Sequence, residues 1–265
     1  MSYIDAVILG LVQGLTEFIP VSSSGHLVLV RDVLGISEGG LFFDVILHLG
    51  TLLAVIIYFR KDLLELIVNF SKDKKVFFLL IIGTIPAIVI GFFLSDLLEQ
   101  ISDFVYIVPV LMVVTGILFL VSERVYARKD KKKLITSLDK IKYKDATYIG
   151  LLQACALLPG VSRSGVTIVG GFFRSLKRET AAKFSFFLSI PAILAAAAYT
   201  TYEAVGENGG ILIEGPTVLG FFVSFLSGLF AVAFLMRYIR KHGLNVFAYY
   251  LFAVSGILIL FYLLR

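Results

Sequence analysis

Charge is what this chain lacks. Only 16% of its 265 residues are Asp, Glu, Lys or Arg, while 58% are apolar and the mean hydropathy is +0.95. A soluble domain carries about a quarter charged residues. Long apolar runs recur from end to end, which excludes an ordinary water-soluble domain and makes lipid the solvent. Cysteine is nearly absent. The single Cys155 excludes an intramolecular disulfide framework, offers no metal cluster, and reads as a small core residue. Met1–Ala6 holds Asp5 but no Lys or Arg, so a cleavable signal peptide is not expected. The length suits one membrane domain, 1–265, without a separate soluble one. The net charge of +5 matters less than where the charges sit, and no nucleic-acid partner is expected.

Six segments have close to the ~20 apolar residues a spanning helix needs. They are Leu41–Phe59, Val76–Leu94, Phe104–Val121, Phe184–Tyr202, Thr217–Met236 and Val246–Leu264. Two further regions are broken in the middle. Ile4–Phe18 leads through Pro20-Val21-Ser22-Ser23-Ser24-Gly25 into His26–Leu34. Tyr148–Leu158 leads through Pro159-Gly160-Val161-Ser162-Arg163-Ser164-Gly165 into Val166–Phe173. Each half offers about 12–22 Å of helix at 1.5 Å per residue, against a hydrocarbon core of about 30 Å. The expectation is a re-entrant hairpin in each place, with its irregular backbone inside protein or beside water. A kinked spanning helix is the bland alternative.

Charge sorting favours hairpins. If each returns to its own side, Arg60–Lys75, Glu123–Asp145, Arg174–Lys183 and Arg237–His242 share one side and hold nearly all the Lys and Arg. The opposite loops carry Asp96, Glu99, Asp103, Glu203, Glu207 and Glu214 with no basic residue. By the positive-inside rule the basic side is cytoplasmic and both termini are extracytoplasmic. The Lys129–Lys133 cluster reads as an anchor to anionic headgroups.

The chain also repeats itself. At an offset of 140 residues, Gly10, Leu11, Gln13, Val21, Ser22, Ser24 and Gly25 meet identical residues at Gly150, Leu151, Gln153, Val161, Ser162, Ser164 and Gly165. Phe43–Ala54 resembles Phe184–Ala195 at offset 141. One hairpin plus three spans per half, an odd number of crossings, inverts the second copy. The expected fold is an all-α polytopic membrane protein: six transmembrane helices plus two re-entrant helix hairpins in an inverted repeat. The halves are 1–124 and 145–265, joined by a basic loop 125–144. The copies differ where Glu17 faces Leu157, Ser23 faces Arg163 and His26 faces Val166.

A charge near the bilayer midplane costs about 2.5–3.5 kcal/mol on insertion scales, so Glu17 and Arg163 point to function. A structural ion pair between the hairpins is the bland reading, but it needs neither histidine nor a hydroxyl cluster. Arg163 stands at an expected helix start, where free N–H groups and a guanidinium fork suit phosphate oxygens. Ser162, Ser164 and Thr167 add donors and, with Gly160 and Gly165, make one expected substrate-binding nest; Ser22, Ser24 and Gly25, with Gln13 nearby, make the second. Two such starts suit a diphosphate. Gln13 shares a helix face with Glu17. Glu17 can orient His26, act as a base, or hold a divalent cation (Mg or Ca) beside the phosphates. Ser23 is a candidate nucleophile with His26 as its base, and His26 can itself attack phosphorus. His48, near Asp44, reads as a buried and satisfied histidine. A transporter or flippase is the competing class, because inverted repeats with broken helices are transporter hardware.

The run Gln13-Gly14-Leu15-Thr16-Glu17-Phe18-Ile19-Pro20-Val21-Ser22-Ser23-Ser24-Gly25-His26, the run Pro159–Thr167, Phe43-Asp44-Val45 with His48–Thr51, and Glu179–Pro191 together resemble the undecaprenyl-diphosphate phosphatases of the bacitracin-resistance type. The resemblance covers essentially the whole chain. It implies hydrolysis of a polyprenyl diphosphate lipid to the monophosphate and inorganic phosphate, recycling the carrier for cell-wall synthesis, in the cell membrane and at an outward-opening site. It carries functional roles to Glu17, Ser23, His26 and Arg163. The family's paired acidic position is Gln13 here, which speaks against a two-carboxylate metal site and leaves Glu17 with the substrate's own phosphates. The other partners compatible with the resemblance are membrane lipids and a second copy of the chain in a homodimer.

Overall fold

In lipid, apolar segments must pair every backbone group within themselves, which selects helices. The computed structural model describes residues 1–37, 39–94, 97, 100–101, 104, 106–208 and 214–264, the side chains of 71–73 and 203–208 excepted. Among these residues the only β pairing is one bridge, Ile135 to Leu176. Of the acidic residues expected in the outer loops, Asp96, Glu99 and Asp103 and the side chains of Glu203 and Glu207 lie outside the described residues.

The helices are α1 (Tyr3–Phe18), α2 (Ser23–Leu34), α3 (Gly40–Tyr58), α4 (Arg60–Val68), α5 (Phe70–Phe93), α6 (Ile107–Ala127), α7 (Tyr143–Cys155), α8 (Arg163–Phe173), α9 (Arg178–Asn208), α10 (Gly215–Tyr238) and α11 (Asn245–Leu264). Six of them, α3, α5, α6, α9, α10 and α11, are long and apolar enough to cross a membrane. They correspond to the six segments read from the sequence. α6 runs on to Ala127 and α9 begins at Arg178, because polar turns at a helix end extend the backbone ladder beyond the apolar stretch. The charged segment after α3 is not a loop: Arg60–Val68 forms α4, with no buried residue.

The broken regions form two pairs of short helices, α1 with α2 and α7 with α8. The ends of each pair come together. Asp145 in the first turn of α7 bonds Arg174 just past α8 at 2.5 Å, and the Ile135 amide donates to Ser175 O at 2.8 Å. At the other pair, an added Cβ on Gly39, beyond α2, would lie 3.3 Å from the Met1 sulfur.

Close backbone approach seats both pairs. α1 packs on α10 and α7 packs on α5. A Cβ on Gly10 would come 2.9 Å from Gly220 O, and one on Gly150 would come 2.5 Å from Gly83 O. Only glycine permits these approaches. The main core runs beneath the second pair and joins Phe18, Phe119, Phe172, Phe186 and Phe187. Cys155 departs from its expected core position: it is exposed, one turn past the exposed Leu151 on the outer face of α7.

Candidate active site

The two helix starts share one design. Ser22 caps α2 by accepting the Gly25 amide at 3.3 Å, and Ser162 caps α8 by accepting the Gly165 amide at 3.2 Å. The hydroxyls of Ser22 and Ser24 lie 3.4 Å apart, and those of Ser162 and Ser164 lie 3.3 Å apart. First-turn amides of a helix have no carbonyl one turn back, and helix starts of this kind suit anions; Ser23, Ser24 and Arg163 carry such amides. Gly160, at φ +95, lets the second break turn sharply against Val108.

Glu17 joins the two starts. It is 6% exposed at the end of α1. Arg163 Nη2 donates to its Oε1. Ser23 Oγ donates to its Oε2 at 2.6 Å, and Gln13 Nε2, one turn back, donates to the same oxygen at 3.0 Å. His48 Nε2 stands 3.5 Å from Oε2. Arg163 Nη1 is buried and has no hydrogen-bond partner among the described residues.

These groups floor a cavity of about 580 Å³. Glu17, Ser23, Ser24, Ser162, Arg163, Asp44, His48 and Gln153 line it at the helix starts, and Thr84, Tyr199 and Thr200 add polar groups along the walls. α5 and α9 supply apolar walls from Ala87, Ile88, Gly91 and Phe92 and from Ala192, Ile193 and Ala195–Ala197. Both walls begin just past an internal proline, Pro86 and Pro191. The cavity therefore lies at the start of α3 and the ends of α5 and α9. The basic segments gather at the other end, where Lys129 reaches Phe173 O at 2.8 Å and Lys183 pairs with Asp62 at 2.6 Å.

Not every residue expected at the site faces this cavity. Gln13 is fully buried behind Glu17. Ser22, Ser164, Gly25, Gly160 and Gly165 shape the helix starts without lining the space. A Cβ on Gly165 would come 2.5 Å from Phe119, so this glycine admits α6. Thr167 turns inward, bonding Arg163 O at 2.8 Å and the Ser185 hydroxyl at 2.6 Å. His26 also turns away. Its Nδ1 meets Ser22 O and its Nε2 meets the Tyr250 hydroxyl, both at 2.8 Å, so it touches neither Ser23 nor Glu17 through a hydrogen bond.

His48 takes the place at the site that His26 does not. Its Nδ1 is 2.7 Å from Asp44 O; a carbonyl only accepts, so Nδ1 carries a proton and Nε2 is the nitrogen open to the cavity. Sequence spacing hides this, because α3 approaches Glu17 only through tertiary packing. Asp44 is held by Arg31 through two bonds, at 2.7 and 2.8 Å. Each of the two carboxylates in the cavity thus already carries an arginine. Among the described residues no group of three or more His, Cys, Asp or Glu is arranged to hold a metal ion.

Known proteins align with nearly all of this chain. A family model described as Bacitracin resistance protein BacA matches residues 6–257. Undecaprenyl-diphosphatase 4 of Bacillus cereus is 43% identical over 260 residues, covering 98% of this chain and 97% of the relative. Undecaprenyl-diphosphatase of Carboxydothermus hydrogenoformans is 42% identical over 262 residues, covering 98% and 97%. The enzyme of the same name from Caldicellulosiruptor bescii is 39% identical over 272 residues, covering 100% and 99%.

Proposed function

The chain belongs to the bacitracin resistance protein BacA family, and from that premise we infer that it dephosphorylates undecaprenyl diphosphate in the cavity between its two helix starts. It is a multi-pass membrane hydrolase; recycling of the lipid carrier and bacitracin resistance follow from the family.

The diphosphate sits between the starts of α2 and α8. The Arg163 guanidinium, the Ser24 and Ser162 hydroxyls and the first-turn amides donate to its oxygens. Charge stabilisation and positioning are most of what phosphoryl transfer requires. The prenyl chain follows the apolar walls of α5 and α9. The observation that carries the chemistry is the 2.6 Å bond from Ser23 Oγ to Glu17 Oε2. Glu17 takes the Ser23 proton as Ser23 Oγ bonds the terminal phosphorus and the bridging P–O bond breaks, releasing the lipid monophosphate. Water then attacks the phosphoserine, its proton passes to His48 Nε2, and Glu17 returns a proton to Ser23. His48 hands its proton to the departing phosphate or to solvent. A divalent cation (Mg or Ca) arriving with the substrate would take its ligands chiefly from phosphate oxygens, since Glu17 and Asp44 already carry arginines.

The same reading assigns the membrane geometry. α1–α2 and α7–α8 are re-entrant hairpins of an inverted repeat. This is supported by the joined ends of each pair, by the matching caps, and by the exchange of Gly10–Gly220 for Gly150–Gly83. The repeat halves 1–124 and 145–265 meet at the site. The cavity opens on the extracytoplasmic side, where both termini lie, because the basic segments cluster at the opposite end.

Phosphate release by the purified protein in detergent tests the assignment, since vectorial transport cannot register there. Glu17→Gln keeps the shape but removes the base, and Arg163→Lys keeps the charge but removes the fork. Each is expected to lower kcat by about 10²–10³-fold. Near-normal release by both variants would place the chemistry elsewhere.

A further inference from the structure

We propose that Tyr250 is a positioning residue of this site, acting through His26 to hold Ser22 in the backbone conformation that turns Ser23 onto Glu17. The proposal rests on the reading of Ser23 and Glu17 given above.

The repeat supplies an internal comparison. Ser22 and Ser162 are equivalent caps with equivalent side-chain bonds. Their backbones differ. Ser162 has φ −76 and ψ 112, ordinary extended values, while Ser22 has φ 70 and ψ 92. A left-handed φ on a residue other than glycine persists only where the surroundings enforce it. One turn on, the copies carry His26 and Val166. Both close the first helical bond onto the cap carbonyl, at 3.2 and 2.9 Å. Only His26 brings a second donor, Nδ1, which reaches Ser22 O at 2.8 Å.

The imidazole is itself fixed from outside the hairpin. In the neutral ring Nδ1–H donates to Ser22 O, and Nε2 accepts from the Tyr250 hydroxyl of α11 at 2.8 Å. The two rings stack at 5.6 Å with 8° between their planes. A continuous link therefore runs from α11 through the imidazole to the residue before Ser23. With both nitrogens engaged and the ring outside the cavity, His26 aligns the nucleophile rather than deprotonating it.

The test is steady-state phosphate release from a polyprenyl diphosphate by the full chain in detergent. The variants are His26→Ala, His26→Asn, Tyr250→Phe and the double variant His26→Asn/Tyr250→Phe, with Ser23→Ala as control. Asparagine places its amide nitrogen where Nδ1 stands. It can hold Ser22 O, but it can neither exchange protons nor reach Tyr250. Tyr250→Phe removes one oxygen atom and keeps the test decisive if His26→Ala does not fold. The expected pattern is a fall in kcat of about a hundredfold for His26→Ala, of which His26→Asn recovers about tenfold, and a fall of about three- to tenfold for Tyr250→Phe, the scale of one hydrogen bond. KM stays within about twofold throughout, because alignment of a nucleophile is felt in the transition state. Tyr250→Phe adds nothing to His26→Asn, since that link is already cut. The proposal is overturned if His26→Asn is as inactive as His26→Ala, if Tyr250→Phe matches the parent, or if the double variant is additive. An active Ser23→Ala would overturn the nucleophile itself, a separate failure.

Discussion

Glu17 organises the site because each of its oxygens has a defined duty. Oε1 is committed to Arg163, which leaves Oε2 for the Ser23 hydroxyl, for Gln13 and for exchange with His48. Removing one member of a buried charge pair costs about 3–5 kcal/mol, so Arg163→Ala would confound stability with catalysis. Arg163→Lys is the cleaner probe. His48→Gln keeps a polar side chain of similar reach but removes the proton acceptor. It is expected to lower kcat by about ten- to a hundredfold with little change in KM, read from initial rates of phosphate release. Unchanged kcat would remove His48 from the proton path. That Glu17 and Arg163, one from each motif, would come together was legible in the sequence because a midplane charge demands a partner, and Ser23 was singled out by its place in the repeat. His48 was not, since nothing in its own helix distinguishes a satisfied histidine from one that faces a carboxylate on α1. His26 was legible as a polar residue at a helix start, but its direction depends on Tyr250, far away along the chain.

Helix seating depends on glycine where two backbones touch. A Cβ on Gly150 would intrude to 2.5 Å from Gly83 O, and the neighbour it meets is backbone, which cannot swing away. Gly150→Val is expected to destabilise by about 1–3 kcal/mol, the range for overpacking, visible as a lowered Tm in detergent. Gly256→Ala on α11 is the contrast: nothing lies within 4 Å of its added Cβ. Relief of the glycine entropy cost there should raise stability by about 0.5–1 kcal/mol. Equal Tm values for the two variants would contradict the packing account. At this scale the sequence was informative about the existence and order of the six spans, whose length and apolarity mark them, while polar turns moved several helix ends by about a turn or more. It missed α4, because this short charged segment buries no residue and was read as part of an inner loop. It misplaced Cys155, because in a membrane protein an apolar stretch faces lipid as readily as core.

The whole molecule is organised by where charge lies. The basic segments meet one another at one end of the bundle, and the cavity occupies the opposite end. The repeat and the charge sorting are what the proposed inverted arrangement of the halves rests on. The specialisation of the halves was readable only as three differences, Glu17 against Leu157, Ser23 against Arg163 and His26 against Val166, until tertiary packing gave Glu17, Ser23, Arg163 and His26 their partners. In a Cys155→Ser background, Glu214→Cys should react with a membrane-impermeant thiol reagent on intact cells. Lys133→Cys, 85% exposed at its side chain in the parent, should react only after permeabilisation. The reverse pattern would invert the assigned orientation. The central claim, that the two helix starts form one phosphoryl-transfer site with Ser23 as nucleophile and Glu17 as its base, has a more direct test. Purified protein is quenched in acid during turnover of substrate labelled in its terminal phosphate, and the labelled peptide is sequenced. The account predicts label on Ser23, absent from Ser23→Ala and strongly reduced in Glu17→Gln. Label on another residue, or turnover by Ser23→Ala at the parent rate, would contradict it.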